Sequence, residues 1–291
     1  MSYVASKGML EEMEKIENKR FGEERALYAL KDAEVISCSF EGDEDGESAL
    51  KECREVKIKD SKFLLRYPLW HAEDYILDSS YMDITSRAPI WYSKRGNIVG
   101  SEINGVKCLR ECDETRIEKC LIVSPEFGWR CRGVEIIDSD ITSEYFLFES
   151  RNLKIDNLKM KGKYSFQYVE DAIIENSVLD TKDAFWHSKN VTVKNSIVKG
   201  EYLGWYSENL TLENCKIIGT QPLCYCKNLR LLGCTMEKTD LSFEYSEVRA
   251  EIFGEIESVK NPISGKIVAD GYGEVIFENS VFKTECLVIT R

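Results

Sequence analysis

The residues of this 291-residue chain best equipped for chemistry stand directly after a recurring aromatic position. In order they are His71, Tyr92, Glu111, Arg130, Glu149, Tyr168, His187, Tyr206, Tyr225 and Glu244, and every one is ionisable or phenolic. The protein has only two histidines, and both belong to this series, each directly after a Trp. Glu and His supply hydrogen bonds and proton transfer, while Tyr and Trp supply flat faces for sugar rings. The combination points to a carbohydrate site. Its candidate catalytic residues are Glu111, Arg130 and Glu149, and its candidate substrate-binding residues are His71, Tyr92, Tyr168, His187 and Tyr206.

Such a series means something only if the fold brings its members into one row. Moving by nineteen residues from Trp205 reaches Trp186, Gln167, Phe148, Trp129, Arg110 and Trp91 one way, and Cys224 and Phe243 the other. Trp70 lies twenty-one before Trp91, a two-residue insertion, and aromatics fill seven of these ten positions. A second column, Asp138, Asn157, Asn176, Asn195 and Asn214, has the same nineteen-residue spacing; Lys119 and Gly100 precede it and Gly233 follows. Asn, Asp and Gly tolerate the left-handed backbone of a sharp corner. Apolar residues alternate before that corner, as in Val191 and Val193 or Leu210 and Leu212, and one more follows it at Ile141, Met160, Leu179, Val198, Ile217 and Met236. Period-two alternation in short runs between turn formers predicts strands.

A unit this short cannot bury its apolar face alone and must stack on its neighbours. Each residue type returns one unit later, so equivalent strands pair in parallel. The expected fold is an all-β, single-chain parallel β-helix of about 19 residues per coil, right-handed by the rule for parallel crossovers. Residues 9 to 31 carry helical spacing (Met9, Met13, Ile16, Phe21, Leu27, Leu30). They predict a short helical cap over the first coil, which would shield an open sheet edge. The expected divisions are a helical cap at 1–33, the β-helix at 34–252, and an irregular closing coil of the same domain at 253–291. EGDEDGES at 41–48 reads as a solvated acidic turn.

The arrangement resembles the pectin-lyase-like superfamily of right-handed β-helices. It more closely resembles a bacterial family of uncharacterised cytosolic β-helix proteins of about this length. The residues carrying the likeness are FGEERAL at 21–27, GESALKE at 46–52 and FLLRYPLWH at 63–71, followed by the WYS, WHS and WYS repeats. The resemblance covers nearly the whole chain and implies the fold; the family brings no activity with it. Most superfamily relatives of known role handle polysaccharides, which implies a carbohydrate ligand by analogy. The calcium-binding Asp clusters with a catalytic Arg or Lys of secreted pectate lyases are not recognisable here, which counts against that chemistry.

On stacked coils, Glu111 and Glu149 stand two rungs apart, roughly 9.6 Å along the axis. Side-chain freedom brings that near the ~6.5–9.5 Å carboxylate separation of inverting glycosidases. Arg130 between them could hold a carboxylate or a sugar acid. The same three residues read equally as an ion ladder of alternating sign with no catalytic role. The histidines stand about six rungs apart, near 29 Å, too far to share a site. The tryptophans are expected to face the core and the ionisable column solvent. Arg110 and Gln167 in the aromatic column, and apolar residues such as Leu69 and Phe185 just before it, oppose that expectation unless a bulge resets the alternation. Asn157, Asn176, Asn195 and Asn214 predict an amide ladder between coils.

Composition limits the remaining classes. A net charge of −12 argues against nonspecific contact with nucleic acid or an anionic membrane. No run approaches the roughly 18–20 apolar residues of a membrane span, and the acidic N-terminus lacks the apolar core of a secretory signal, so a cytoplasmic protein is expected. Eleven cysteines, interchanging with Ser in two columns, read as small fillers, and neither Cys108 with Cys112 nor Cys224 with Cys226 has zinc-finger spacing. No cofactor or metal is expected, and the oligomeric state is left open. A non-catalytic structural or partner-binding solenoid is the alternative to the carbohydrate reading.

Overall fold

The computed structural model describes residues 13–43 and 46–291. Through these residues the chain winds as a parallel β-solenoid of about 14 turns and about 19 residues per turn. The strand Lys189–Lys194 pairs in parallel with Glu170–Glu175 on one side, Val191 lying over Ala172 and Val193 over Ile174. On the other side Val193 lies under Leu212, which lies under Leu231. The two-residue insertion appears where expected, with Trp70 paired to Trp91.

The core is a bundle of vertical columns. Val191, Val193, Leu210 and Leu212 of the alternating pair, and Ile141, Leu179 and Val198 after the corner, are almost wholly buried. The predicted corner is also observed. Asp138, Asn157, Asn176, Asn195 and Asn214 all have φ between 48° and 53°, the left-handed region that Asn and Asp enter at least cost.

The helical cap is not seen. Residues 9–12 lie outside the described residues, and from Glu14 onward the chain is already solenoid. Glu14–Glu17 pairs in parallel with the strand beginning at Lys31, Ile16 over Val35, and Phe21 stacks on Phe40 with ring centroids 5.2 Å apart. No helix occurs among the described residues. Left-handed residues at Asn18, Arg25 and Ala29 bend the chain around a coil. Those corners reset the strand alternation, so Ile16, Phe21, Leu27 and Leu30 fall at spacings that mimic a helix.

At the other end parallel pairing continues with altered coil length. Glu247 lies under Ser264, seventeen residues on, and Lys266 under Leu287, twenty-one on. Of the acidic turn at 41–48, Glu44 and Asp45 lie outside the described residues, while Gly46 and Ser48 are buried and Glu47 pairs with Arg66 at 3.2 Å.

Candidate functional site

The ionisable column sits at a second left-handed corner. His71, Tyr92, Glu111, Arg130, Glu149, Tyr168, His187 and Tyr206 all have φ between 51° and 59°. A left-handed residue breaks the pleat, so the aromatic residue and the ionisable residue after it both project outward. The flanking positions turn inward: Leu69, Ile90, Leu147, Phe166 and Phe185 before the aromatic, and Ser93, Cys112, Cys131, Ser150 and Ser188 after the ionisable residue, are buried. The expectation that the tryptophans face the core is therefore not met. They are half-buried on the outer wall, and the residue before them fills the interior.

What ties each Trp down is a hydrogen bond to the next coil. The indole N–H donates to the carbonyl sixteen residues on in Trp91 to Lys107, Trp186 to Tyr202 and Trp205 to Gln221, and eighteen on in Trp70 to Ala88, all at 2.7–2.8 Å. This explains the two misfits of the column. Gln167 Nε2 donates to the Asp183 carbonyl at 3.3 Å, taking the indole's part. Arg110 is sandwiched between the rings of Trp91 and Trp129, 4.8 and 4.7 Å from their centroids, and its Nη2 reaches Glu126 at 2.8 Å. Trp, Gln and Arg each supply a planar donor at this position, while Phe148 supplies the ring without one.

Beneath the corner, the interchanging Ser and Cys side chains act as more than fillers. Ser150 Oγ donates to the Gly128 carbonyl at 2.6 Å and accepts from the Cys131 backbone N–H at 2.9 Å. Cys226 Sγ donates to the Gly204 carbonyl at 3.1 Å. Such bonds satisfy main-chain groups that the corner leaves without strand partners, and Ser and Cys can both make them. All eleven thiols are free and buried. Burial pushes the Cys53 thiol up to about 12 and that of Cys226 to about 11, which keeps these two from the thiolate form a nucleophile needs. Among the described residues no three His, Cys, Asp or Glu side chains gather as metal ligands. No helix there is long and apolar enough to cross a membrane.

Along its height the column divides into three blocks. At the bottom His71 stacks on Tyr92, centroids 5.0 Å apart. In the middle Arg130 Nε meets Glu149 Oε2 at 2.7 Å, while Nη1 stands 4.0 Å from Glu111 Oε1. The hydrogen bond to Glu149 pushes the Arg130 guanidinium up, favouring its charged form. At the top Tyr168, His187, Tyr206 and Tyr225 stack face to face, with centroids 4.7–5.0 Å apart and planes within 13° of parallel. Tyr245, tilted by 51°, extends this stack beyond its last parallel ring, and Phe282 meets it edge-on. Tyr168 and Tyr206 remain 47 % and 45 % exposed. The structure thus joins the candidate catalytic trio to one another and His187 to Tyr168 and Tyr206, and leaves His71 and His187 in separate blocks.

The predicted amide ladder is partial. Asn157 donates to Asp138 at 2.7 Å and Asn214 to Asn195 at 3.4 Å, but Asn176 turns to Asp156. A continuous ladder runs one column away: Asn190 donates to Asp171, Asn209 to Asn190 and Asn228 to Asn209, at 2.7–2.9 Å. Asp171, Asn190, Asn209 and Asn228 carry the same nineteen-residue spacing in the sequence, a signal open to sequence reading.

Residues 14–290 match a family described as "Protein of unknown function (DUF3737)". The chain belongs to that family. The match bears out the resemblance to an uncharacterised family. No curated protein matches this DUF3737 chain. Among solved structures, the A-module of the Azotobacter vinelandii mannuronan C-5 epimerase AlgE4 is similar at 9% identity and a TM-score of 0.32, over 81% of this chain and 87% of that one. The periplasmic alginate epimerase AlgG is similar at 11% identity and a TM-score of 0.28, over 95% of this chain and 77% of that one. At these values neither likeness bears on the site.

Proposed function

We propose that this DUF3737 protein binds a soluble oligosaccharide or sugar acid along the outward column, without hydrolysing it. The observation that carries the reading is the exposed stack Tyr168, His187, Tyr206 and Tyr225. Rings stacked face to face cover one another's faces and leave their rims in solvent. Sugar rings therefore cannot stack within the block, but sugar hydroxyls can hydrogen-bond to phenolic O–H and imidazole N–H groups, one ring per rung of about 4.8 Å. Burial, with the Glu244 carboxylate nearby, pushes the Tyr225 phenol up, which keeps it a donor. A chain lying along the axis would run from this block to Arg130, where a sugar carboxylate would compete with Glu149.

Glu111 and Glu149 both face one guanidinium and have side chains 43% and 40% exposed. That supports an ion ladder rather than an acid–base pair, which depends on burial to separate its two pKa values. The test is a panel of neutral and acidic soluble oligosaccharides, measured by thermal shift and calorimetry with product analysis. At least one should raise the Tm, and Tyr206→Ala should weaken it tenfold or more. A panel without ligands would overturn the reading, as would wild-type affinity in Tyr206→Ala. Products that vanish in Glu149→Gln would instead establish catalysis.

A further inference from the structure

Around the next corner from the ring column, three cations stand in consecutive rungs. Arg230 pairs in register with Arg249, and Arg249 with Lys266. All three are exposed. None has a carboxylate partner among the described residues; the neighbouring Glu251 is taken by Arg291 at 3.3 Å, and Glu247 lies two positions along the strand from Arg249. Lower in the same column charge alternates, Arg116 meeting Glu135 at 2.6 Å. In a parallel column on the same sheet Glu170, Lys189, Glu208 and Lys227 also alternate. Like charges directly opposite each other destabilise a sheet, so three stacked cations are a departure that the fold itself does not need.

A second observation comes from the cavity beside them. Here the coil shortens, Arg249 lying seventeen residues before its partner Lys266 rather than nineteen. A surface cavity of about 490 Å³ opens between Leu232, Arg249, Ala250, Glu251, Gly265 and Lys266, the Glu251 carboxylate being held by Arg291. A smaller one of about 260 Å³ shares Arg249 and Gly265. Gly265 has φ 104°, and a side chain there would collide with the Val248 carbonyl oxygen. The wall therefore stays low between the two upper cations.

We propose that Arg230, Arg249 and Lys266 form a binding site for a small linear polyanion whose oxyanion groups, phosphate or carboxylate, repeat at the rung spacing. Arg forks grip either group through paired N–H donors, and the strand spacing of about 4.8 Å sets the interval. The exposed apolar Leu232 would pack against the organic backbone of such a ligand. The site lies on a different face from the ring column, so it stands or falls independently of the glycan reading.

Calorimetry with tripolyphosphate, whose terminal phosphates lie roughly one rung apart, and with propane-1,2,3-tricarboxylate tests the proposal and separates phosphate from carboxylate. Low and high salt bracket screening, with a Debye length on the order of 10 Å at 0.1 M. At least one probe should bind, more weakly at high salt. Arg249→Gln and Lys266→Gln should each weaken it tenfold or more, while Arg20→Gln, at an exposed arginine paired with Glu41 in the first coils, should leave it unchanged. Without a probe, Arg249→Gln should melt at or above the wild-type temperature, because it relieves repulsion. Failure of both probes to bind, wild-type affinity in both Arg249→Gln and Lys266→Gln, or a ligand-free Arg249→Gln protein that melts several degrees lower would overturn it.

Discussion

The indoles of Trp186 and Trp205 lie face to face, ring centroids 5.5 Å apart and planes within 4° of parallel. Nineteen residues separate them along the chain and one rung in space. Their N–H groups make the same bond in successive coils, to Tyr202 and to Gln221. The pair shows how the wall is built: each half-buried ring covers the ring below and ties down a loop carbonyl of the coil above.

Trp205→Phe keeps the ring and removes the donor. It should cost about 1–3 kcal/mol, the penalty for a polar group left without its partner. Trp205→Gln, imitating Gln167, should recover part of that loss of hydrogen bonding while forfeiting the stack. Urea denaturation of both variants checks this. Wild-type stability in Trp205→Phe would show that the indole bond contributes nothing.

Asn209 is the middle of the continuous amide ladder, donating to Asn190 and accepting from Asn228, at φ 56°. Asn209→Ala loses two hydrogen bonds, each worth roughly 0.5–1.5 kcal/mol, and keeps a left-handed backbone that Ala disfavours. Asn209→Gly loses the same bonds without the backbone cost. The Gly variant should therefore melt above the Ala variant and below wild type. The reverse order of Gly and Ala would contradict the left-handed account of this corner.

The coil itself was legible because its rung is constant: Trp186 to Trp205, Asn195 to Asn214 and Val193 to Leu212 all repeat at nineteen, so vertical neighbours could be read as columns. The direction of the aromatic column was not. Residues such as His187 at φ 53° and Phe185 at φ 61° reset the alternation, and no residue-type rule marks His or Phe as left-handed. Arg110 and Gln167 were the available clue, meaningful once the shared acceptor sixteen residues on is known. The last coils escaped because their lengths change to seventeen and twenty-one, leaving main-chain pairing as the only guide. The candidate site was legible as a row. Its division into an ion ladder and a ring stack was only partly so, because whether rings offer faces or rims depends on their mutual tilt.

Acid should act in a particular direction on the lower coils. Protonated Glu55 can donate to the Asp32 carboxylate, and that contact, with the charges of Asp32 and Asp74, pushes its carboxyl up from the ordinary value. A carboxyl raised by folding contributes stability below its unfolded pKa and loses that contribution as pH rises through the folded value. Glu55→Gln, which mimics the protonated form, should therefore raise the Tm at pH 7, and the gain should shrink as pH falls into the carboxylate range. Melting curves from pH 4 to 8 decide it. No gain at pH 7 would show that the three carboxylates do not burden the fold.

The recognition role of the ring column is tested most directly by its histidines. Because His71 and His187 are the protein's only two, isotope labelling of histidine alone yields two imidazole reporters, one in each ring block. Titrating labelled protein with the oligosaccharide panel should move the His187 signals in a saturable way, and Tyr206→Ala should shift that curve to at least tenfold higher concentration. Saturable binding of a glycan that leaves both imidazole signals in place would contradict the account.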